Sequence, residues 1–284
     1  MFDKIAIIYN SEIPASKDVA ARVCAILDEY KKTYIVQELN PEKTTKTTDF
    51  DRKITLAVVI GGDGTLISVA RFYAQFDVPV FGLNLGRLGF LAQLNRNEIE
   101  SGIKKLLNGE YRIDERLMLS CSDDKQNFKF NALNDIVIKG GNLSRTERLF
   151  LYINDELVSD YLADGVIIST PTGSTAYTLS AGGPIINPAV DVLVIVPICP
   201  HCLGARPLVV PVTDQITVRI EEDGNDIYVT ADGQKSAKLA KETVVRINQN
   251  PKKAKLVFLT DIEKSFYSVL KEKLNWGVSP KSNA

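Results

Sequence analysis

The stretch Ile54-Thr55-Leu56-Ala57-Val58-Val59-Ile60-Gly61-Gly62-Asp63-Gly64-Thr65 decides the fold. Ile54–Ile60 reads as a strand buried on both faces, the signature of a parallel sheet covered by helices. The glycines that follow let the backbone turn sharply and approach a ligand closely. From about Leu66 the pattern changes to a helical stripe of Leu66, Val69, Ala70 and Tyr73. Strand, glycine turn and helix in that order place the turn at a strand's carboxyl end, where open α/β sheets bind ligands.

The neighbours of this stretch repeat the alternation. Lys4–Tyr9 and Pro79–Leu83 read as strands, and Thr33–Val36 as a short one. Lys17–Lys31 places Val19, Ala20, Val23, Cys24, Leu27 and Tyr30 at helical spacing, and Glu98–Leu107 forms a further helix entered through Asn95 or Asn97. Such alternation predicts a Rossmann-like parallel α/β domain over residues 1–110.

Beyond that point the periodicity changes. Leu117–Ser122, Phe128–Ala132, Asp135–Lys139, Leu149–Asn154, Val166–Thr170, Val192–Val196, Ile216–Glu221, Asp226–Ala231, Thr243–Ile247 and Lys255–Leu259 are short β-type runs. Turns such as Asn154-Asp155 and Asp223-Gly224-Asn225 separate them, so residues 111–260 are expected to form a β-sandwich. A C-terminal helix starts at Asp261, a good N-cap, and carries Ile262, Phe266, Val269 and Leu270 on one face. This helix, assigned to 261–276, must bury its stripe, and the first domain is where it is expected to return. The tail 277–284 is expected to be disordered.

Composition narrows the function. The 284 residues include 34 Lys+Arg against 35 Asp+Glu, a formal net charge of -1. Nucleic-acid and anionic-membrane binding call for a basic excess, so neither partner is expected. The apolar runs are strand-length, well short of the roughly 20 residues of a membrane helix. The N-terminal run turns polar too soon for a signal peptide. Four cysteines are too few for a disulfide scaffold in a chain of this length, and a cytoplasmic location is expected. The one histidine, His201, allows at most one histidine-centred triad or relay per chain.

Three segments carry candidate chemistry. In Gly61–Thr65 the turn delivers N–H groups to a helix N-terminus, a natural phosphate site. Asp63 would repel a phosphate unless it binds Mg²⁺ or a hydroxyl, and phosphoryl transfer uses both. Taken alone, these residues equally suit a tight strand–helix turn with Asp63 or Thr65 as the cap. Thr170-Pro171-Thr172-Gly173-Ser174-Thr175-Ala176-Tyr177-Thr178-Leu179-Ser180 opens a short helix with hydroxyls around Gly173. It suits ribose, amide or phosphate hydrogen bonding, with Tyr177 offering a ring, and a plain Ser/Thr-rich connection fits its composition as well. Asn134-Asp135 sets an amide beside a carboxylate, which can grip vicinal sugar hydroxyls, or simply make an Asx turn before a strand. Neither a Walker A motif nor Gly-x-Gly-x-x-Gly occurs.

In this order and spacing, Gly61–Thr65, Asn134-Asp135 and Thr170–Ser180 closely resemble the NAD kinase family. Asn84–Leu91, Pro197–His201, Arg206-Pro207-Leu208 and Ala231–Gln234 are similar to its further signatures. The resemblance implies an enzyme that transfers the γ-phosphate of ATP, or of polyphosphate, to the 2′-hydroxyl of the adenosine ribose of NAD. It implies an α/β domain joined to a β-sandwich, with a C-terminal helix returning to the first domain. It implies Asp63 as proton acceptor and a divalent cation such as Mg²⁺ with ATP. Dinucleotide contacts are implied at Asp63, Gly64, Asn134, Asp135, Arg145, Asp164, Thr175, Ala176, Tyr177, Thr178, Leu179, Ser180 and Gln234. In relatives the aspartate at the Asp164 position reaches a neighbouring subunit's ligand, which implies a homodimer or homotetramer.

Leu162 stands where several relatives carry a basic residue, and Cys202 and Gly204 also depart from the family pattern. Cys199 and Cys202 share a Cys-x-x-Cys spacing without further ligands nearby, which fits a buried strand end. Two competing functions remain on the same scaffold. A diacylglycerol- or sphingoid-type lipid kinase shares the first motif, but hydroxyls here occupy the place of its apolar slot. A non-catalytic NAD(P) sensor would have no need of Asp63.

Overall fold

The computed structural model describes residues 2–39, 50–86, 89–92, 94, 96–125, 127–141, 146–220, 226–260 and 265–274. Among them the chain forms two compact units, one drawn from Met1–Glu115 and Lys255–Ala284, the other from Arg116–Ala254.

The first unit begins with β1 (Lys4–Asn10), α1 (Ser16–Glu29), β2 (Thr33–Leu39), β3 (Leu56–Ile60), α2 (Asp63–Tyr73) and β4 (Val80–Leu83). α3 (Ile99–Asn108) and β5 (Tyr111–Arg116) follow. Every residue of β3 and β4 is buried, as their unbroken apolar runs require. β1 pairs in parallel with β2 and β3, and β3 with β4; α1 carries the chain from β1 to β2, and α2 from β3 to β4. α1 turns Val19, Ala20, Val23, Ile26 and Leu27 inward, and α3 does the same with Ile99, Ile103, Leu106 and Leu107. α3 ends at Gly109, whose φ of 88° is a left-handed stop that glycine takes without a Cβ penalty. α2 starts at Asp63, earlier than its apolar stripe suggests, because polar Asp63 and Thr65 and flexible Gly64 make up its first turn.

The second unit contributes β6 (Leu119–Asp123), β7 (Lys129–Ala132), β8 (Asp135–Gly140), β9 (Glu147–Ile153), β10 (Glu156–Ala163) and β11 (Gly165–Ser169). After a 3-10 turn at Thr172–Thr175 come α4 (Tyr177–Ser180), β12 (Val192–Ile198), β13 (Leu208–Pro211), β14 (Ile216–Ile220), β15 (Ile227–Ala231), β16 (Lys235–Leu239) and β17 (Val244–Gln249). These strands form two six-stranded sheets, ordered β10-β9-β14-β17-β6-β7 and β13-β12-β11-β8-β15-β16. The recorded pairings in both are antiparallel. One core joins them, with Leu119, Leu151, Val218 and Ile247 from the first sheet and Ile136, Ile168, Ile195 and Val229 from the second. This is the expected sandwich.

β18 (Ala254–Leu259) and α5 (Phe266–Leu274) then return to the first unit. Its sheet reads β2-β1-β3-β4-β18-β5, and β18 pairs with β4 in parallel. By its pattern Lys255–Leu259 belongs with the sandwich strands, and here the structure differs. Leu256, Val257, Phe258 and Leu259 are all buried, so the strand is covered on both faces as an interior parallel strand is. In α5, Val269 and Leu270 are buried and Phe266 is half-buried. The expected cap Asp261, Ile262, the turn at 223–225 and the tail 277–284 lie outside the described residues.

β5, β10, β13 and β16 were not expected as strands, and each lies at a sheet edge. β5, β10 and β16 carry charged residues that blur an apolar period, and β13 is only four residues long and ends in Pro211.

Candidate functional site

In the first unit the strands' carboxyl ends gather the glycine turn. β1 and β3 lie side by side while β2 extends the sheet the other way, which makes their boundary the switch point of the topology. Gly61 continues the ladder, its N–H donating to the Leu83 carbonyl at 3.0 Å. A Cβ on Gly61 would stand 2.8 Å from Thr65 Oγ1, closer than side chains approach, so only glycine fits. Gly62 is the N-cap of α2, with φ −89° and ψ 179°, and the space beside it is open. Asn10, ending β1, donates from Nδ2 to Thr65 Oγ1 at 3.2 Å and so braces the turn. Asn84, ending β4, is buried and accepts the Gly86 N–H at 2.9 Å.

Asp63 does not cap its own helix; α2 has no side-chain cap bond. Its Oδ2 accepts the Phe90 N–H at 2.8 Å. Its Oδ1 is buried without a hydrogen-bond partner among the described residues, pressed against Gly89, where any Cβ would overlap the carboxylate. Lys273 of α5 places Nζ 3.9 Å from Oδ2 and 4.8 Å from the centre of the Phe90 ring. A carboxylate held from outside its helix, with one oxygen unpartnered, is not a structural cap. A buried polar group left unsatisfied calls for an explanation.

In the second unit β11, β8 and β15 are neighbours, so Ser169, Asp135 and Ala231 share one end of the sheet. Three chain segments are stitched together there. Asp232 Oδ1 accepts the N–H groups of Asn134 at 2.7 Å and Asp135 at 3.2 Å, and both its oxygens accept from Leu133. The Thr170 N–H donates to the Asn134 carbonyl at 2.8 Å, and Thr170 Oγ1 donates to the Leu133 carbonyl at 2.6 Å. Gly173 lies against the Asn134 carbonyl so closely that a Cβ would collide with backbone. The Asn134-Asp135 pair is therefore a fixed platform under the 170–180 segment, not a free Asx turn.

Burial pushes the Asp135 carboxyl up to about 7, with the charge of Asp232 adding to it. Tyr177 opens α4 and is 40% exposed. Its phenol is pushed up, first by burial and then by Cys199, Asp164 and Asp135 around it. Thr175 donates to the Thr172 carbonyl at 3.3 Å, Ala176 and Leu179 are half-buried, Ser180 is exposed, and Thr178 is buried with Oγ1 unpartnered.

Asp164 stands at the opposite end of β11, exposed, its carbonyl accepting the Gly140 N–H at 3.2 Å. Gln234 is exposed in the turn after β15, and Gly64 is exposed in the first turn of α2. Arg145 lies outside the described residues. Cys199 and Cys202 are exposed free thiols and not a buried strand end; Cys199 has φ 46°, where the chain leaves β12 in a turn. Among the described residues no group of three or more His, Cys, Asp or Glu could hold a metal ion.

Nothing local in the sequence points to the roles of Asp232, Gly89, Phe90 and Lys273. The positive φ of Asp232, 52°, is tolerable for Asp and marks a turn, but nothing local shows what its carboxylate grips.

Two family models match the chain. The ATP-NAD kinase N-terminal domain matches residues 5–111, and the ATP-NAD kinase C-terminal domain matches residues 133–259. The NAD kinase of Thermoanaerobacter sp. (strain X514) is 39% identical over 280 residues, 95% of this chain and 98% of that protein. The chain belongs to the NAD kinase family. The NAD kinase of Clostridium botulinum (strain ATCC 19397 / Type A) is 43% identical over 229 residues, 79% of this chain and 80% of that protein.

Solved structures of the family share the fold. Yeast NADH kinase complexed with NADH superposes with a TM-score of 0.85 at 24% identity, over 99% of this chain and 90% of that one. An NAD kinase from Archaeoglobus fulgidus in complex with ATP gives 0.76 at 25% identity, over 95% and 98%. The glycine turn at Gly61–Thr65 falls in the N-terminal family domain, and the Asn134 platform with the 170–180 segment falls in the C-terminal one.

Proposed function

We propose that this NAD kinase uses Asp63 as its general base, taking the proton of the adenosine-ribose 2′-hydroxyl of NAD. The overall reaction is that of the family: ATP and NAD give ADP and NADP. The hydroxyl oxygen forms a bond to the γ-phosphorus, the bond to the ADP oxygen breaks, and the hydroxyl proton passes to Asp63. The observation that carries the base assignment is that Asp63 is held by the Phe90 N–H and not by its own helix. With Oδ1 buried, Oδ2 is the oxygen a hydroxyl can approach. The α2 N-terminus and the open space beside Gly62 suit the phosphoryl group.

The residues fit a divalent cation that arrives on ATP. The described residues offer no protein cage, and Mg²⁺ commonly keeps phosphate and water ligands, with Asp63 the carboxylate beside it here. Bound there, the cation neutralises charge on the transferred phosphate. Asn134 and Asp135 hold ribose hydroxyls, and Tyr177 lies against the nicotinamide half. Gly64, Arg145, Asp164, Thr175–Ser180 and Gln234 complete the dinucleotide contacts, by their match to the family's positions. The reading places the enzyme in the cytoplasm as a homodimer or homotetramer, Asp164 reaching a neighbouring subunit's dinucleotide. No helix among the described residues is long and apolar enough to cross a membrane.

The test is Asp63→Asn, read as NADP formation with ATP and Mg²⁺ and as NAD binding by calorimetry. Turnover falls by about 10²- to 10⁴-fold while NAD binding survives. Near-normal turnover would remove Asp63 from the role.

A further inference from the structure

The C-terminal helix does more in the first unit than cover apolar surface. Its buried residues are Val269 and Leu270, whereas Lys273 reaches the glycine turn. A basic residue in a helix's last turn complements the dipole, and Lys271 and Lys273 both sit there. Lys273 is set apart by its surroundings: its ammonium is 3.9 Å from Asp63 Oδ2 and rests on the face of Phe90, 4.8 Å from the ring centre. Phe90 also supplies the N–H that Oδ2 accepts at 2.8 Å. The two contacts that hold Oδ2 thus converge on one residue, and Oδ1 has no donor among the described residues. An ammonium over an aromatic face is held in place by the ring's negative quadrupole, which limits its wandering on a flexible stem.

We propose that Lys273 is a positioning residue for the phosphoryl transfer, its ammonium, seated on Phe90, keeping Asp63 Oδ2 turned toward the reacting hydroxyl. The inference rests on Asp63 being the base. α5 thereby becomes part of the catalytic unit. The ammonium lies beyond hydrogen-bond distance of Oδ2, so it acts through charge and leaves the oxygen's second lone pair for the proton.

The test uses the full-length enzyme and three variants assayed together. Lys273→Met keeps the aliphatic stem over Phe90 and removes the charge; Lys273→Arg keeps the charge and can stack on the ring. For Lys273→Met the expected result is a kcat about 3- to 10-fold lower, with KM for ATP and NAD unchanged, the scale of a partly screened ion pair. Lys273→Arg restores most of kcat, and both variants keep the wild-type melting temperature. A kcat unchanged in Lys273→Met overturns the proposal. So does a rise in KM for ATP at constant kcat, which puts the ammonium on the nucleotide's phosphates. A loss of kcat that Lys273→Arg does not restore, or that comes with a lowered melting temperature, makes the residue structural. Asp63→Asn in the same assay separates the two readings. If it loses turnover while Lys273→Met is normal, only the lysine's role fails; if it retains turnover, the base assignment fails first.

Discussion

Asn134 is held by Asp232, 98 residues further along the chain: its N–H donates to Asp232 Oδ1 at 2.7 Å. The same carboxylate takes the N–H groups of Leu133 and Asp135, so one side chain fixes the backbone on which the Asn134 amide and Asp135 carboxyl are mounted. Asp232→Ala leaves these donors without their acceptor. Hydrogen bonds to charged groups are worth about 1.5–3 kcal/mol each, and shared bonds on one carboxylate do not add, so a loss on the order of 3 kcal/mol is expected. Denaturant unfolding measures it, and KM for NAD rises in parallel. A variant with unchanged stability would show that the platform stands without Asp232.

Asp135 makes a pH prediction. Its carboxyl is pushed up to about 7 when folded, and an unfolded Asp titrates near its ordinary value of about 4. Between those values the folded chain keeps a proton that the unfolded chain has released. The associated stability is therefore fully present below about pH 4 and is lost as pH rises through about 7. Asp135→Asn has no such proton. The melting temperature of the variant minus that of the wild type should become more positive between about pH 4 and pH 8. A difference that stays flat across that range would assign the titration to another group.

Gly89 tests how tightly Asp63 must be seated. A Cβ at this position overlaps the Asp63 carboxylate, which would have to swing away. Displacing a catalytic group by about 1 Å costs on the order of a hundredfold in rate. Gly89→Ala should lose turnover on that scale while binding NAD normally. Gly62→Ala is the useful comparison, since nothing stands within 4 Å of its Cβ position. It should fold with a loss under about 1 kcal/mol, the difference between Gly and Ala at an N-cap, and raise KM for ATP by narrowing the phosphate space.

The thiols should react in a graded order. Cys199 and Cys202 are exposed, Cys24 is partly covered and Cys121 is buried, its thiol pushed up to about 12 by burial and then by Asp123. An aromatic disulfide reagent should label Cys199 and Cys202 quickly in the native protein, Cys24 slowly and Cys121 only after unfolding. Cys199→Ser combined with Cys202→Ser should keep turnover within about twofold, as surface substitutions do. A large loss would give the Cys-x-x-Cys pair a function.

Much of this molecule is legible in its sequence, because the relevant signals are local. The burial of β3 on both faces, the turn at Gly61–Thr65 and the stripe of α2 depend on residues within a few positions of one another. So do the inward-facing alternations of β14, β15 and β6, whose buried residues fall at every second position. Period and turn chemistry therefore determined the α/β lobe, the sandwich and the strand end that carries the glycine turn.

What tertiary structure decided depends on residues far apart in the chain. Ala254–Leu259 looks like any short β run until β4 is found beside it. The edge strands β5, β10, β13 and β16 become strands by pairing with a neighbour, with no apolar period of their own to announce them. Asp63 resembles a helix cap in the sequence, and only the folded chain brings Phe90 and Lys273 to its carboxylate. Local periodicity sets which face of an element is apolar. Which polar atom meets which is settled by sheet order and by the close approach of distant backbone, and no short stretch of sequence encodes either.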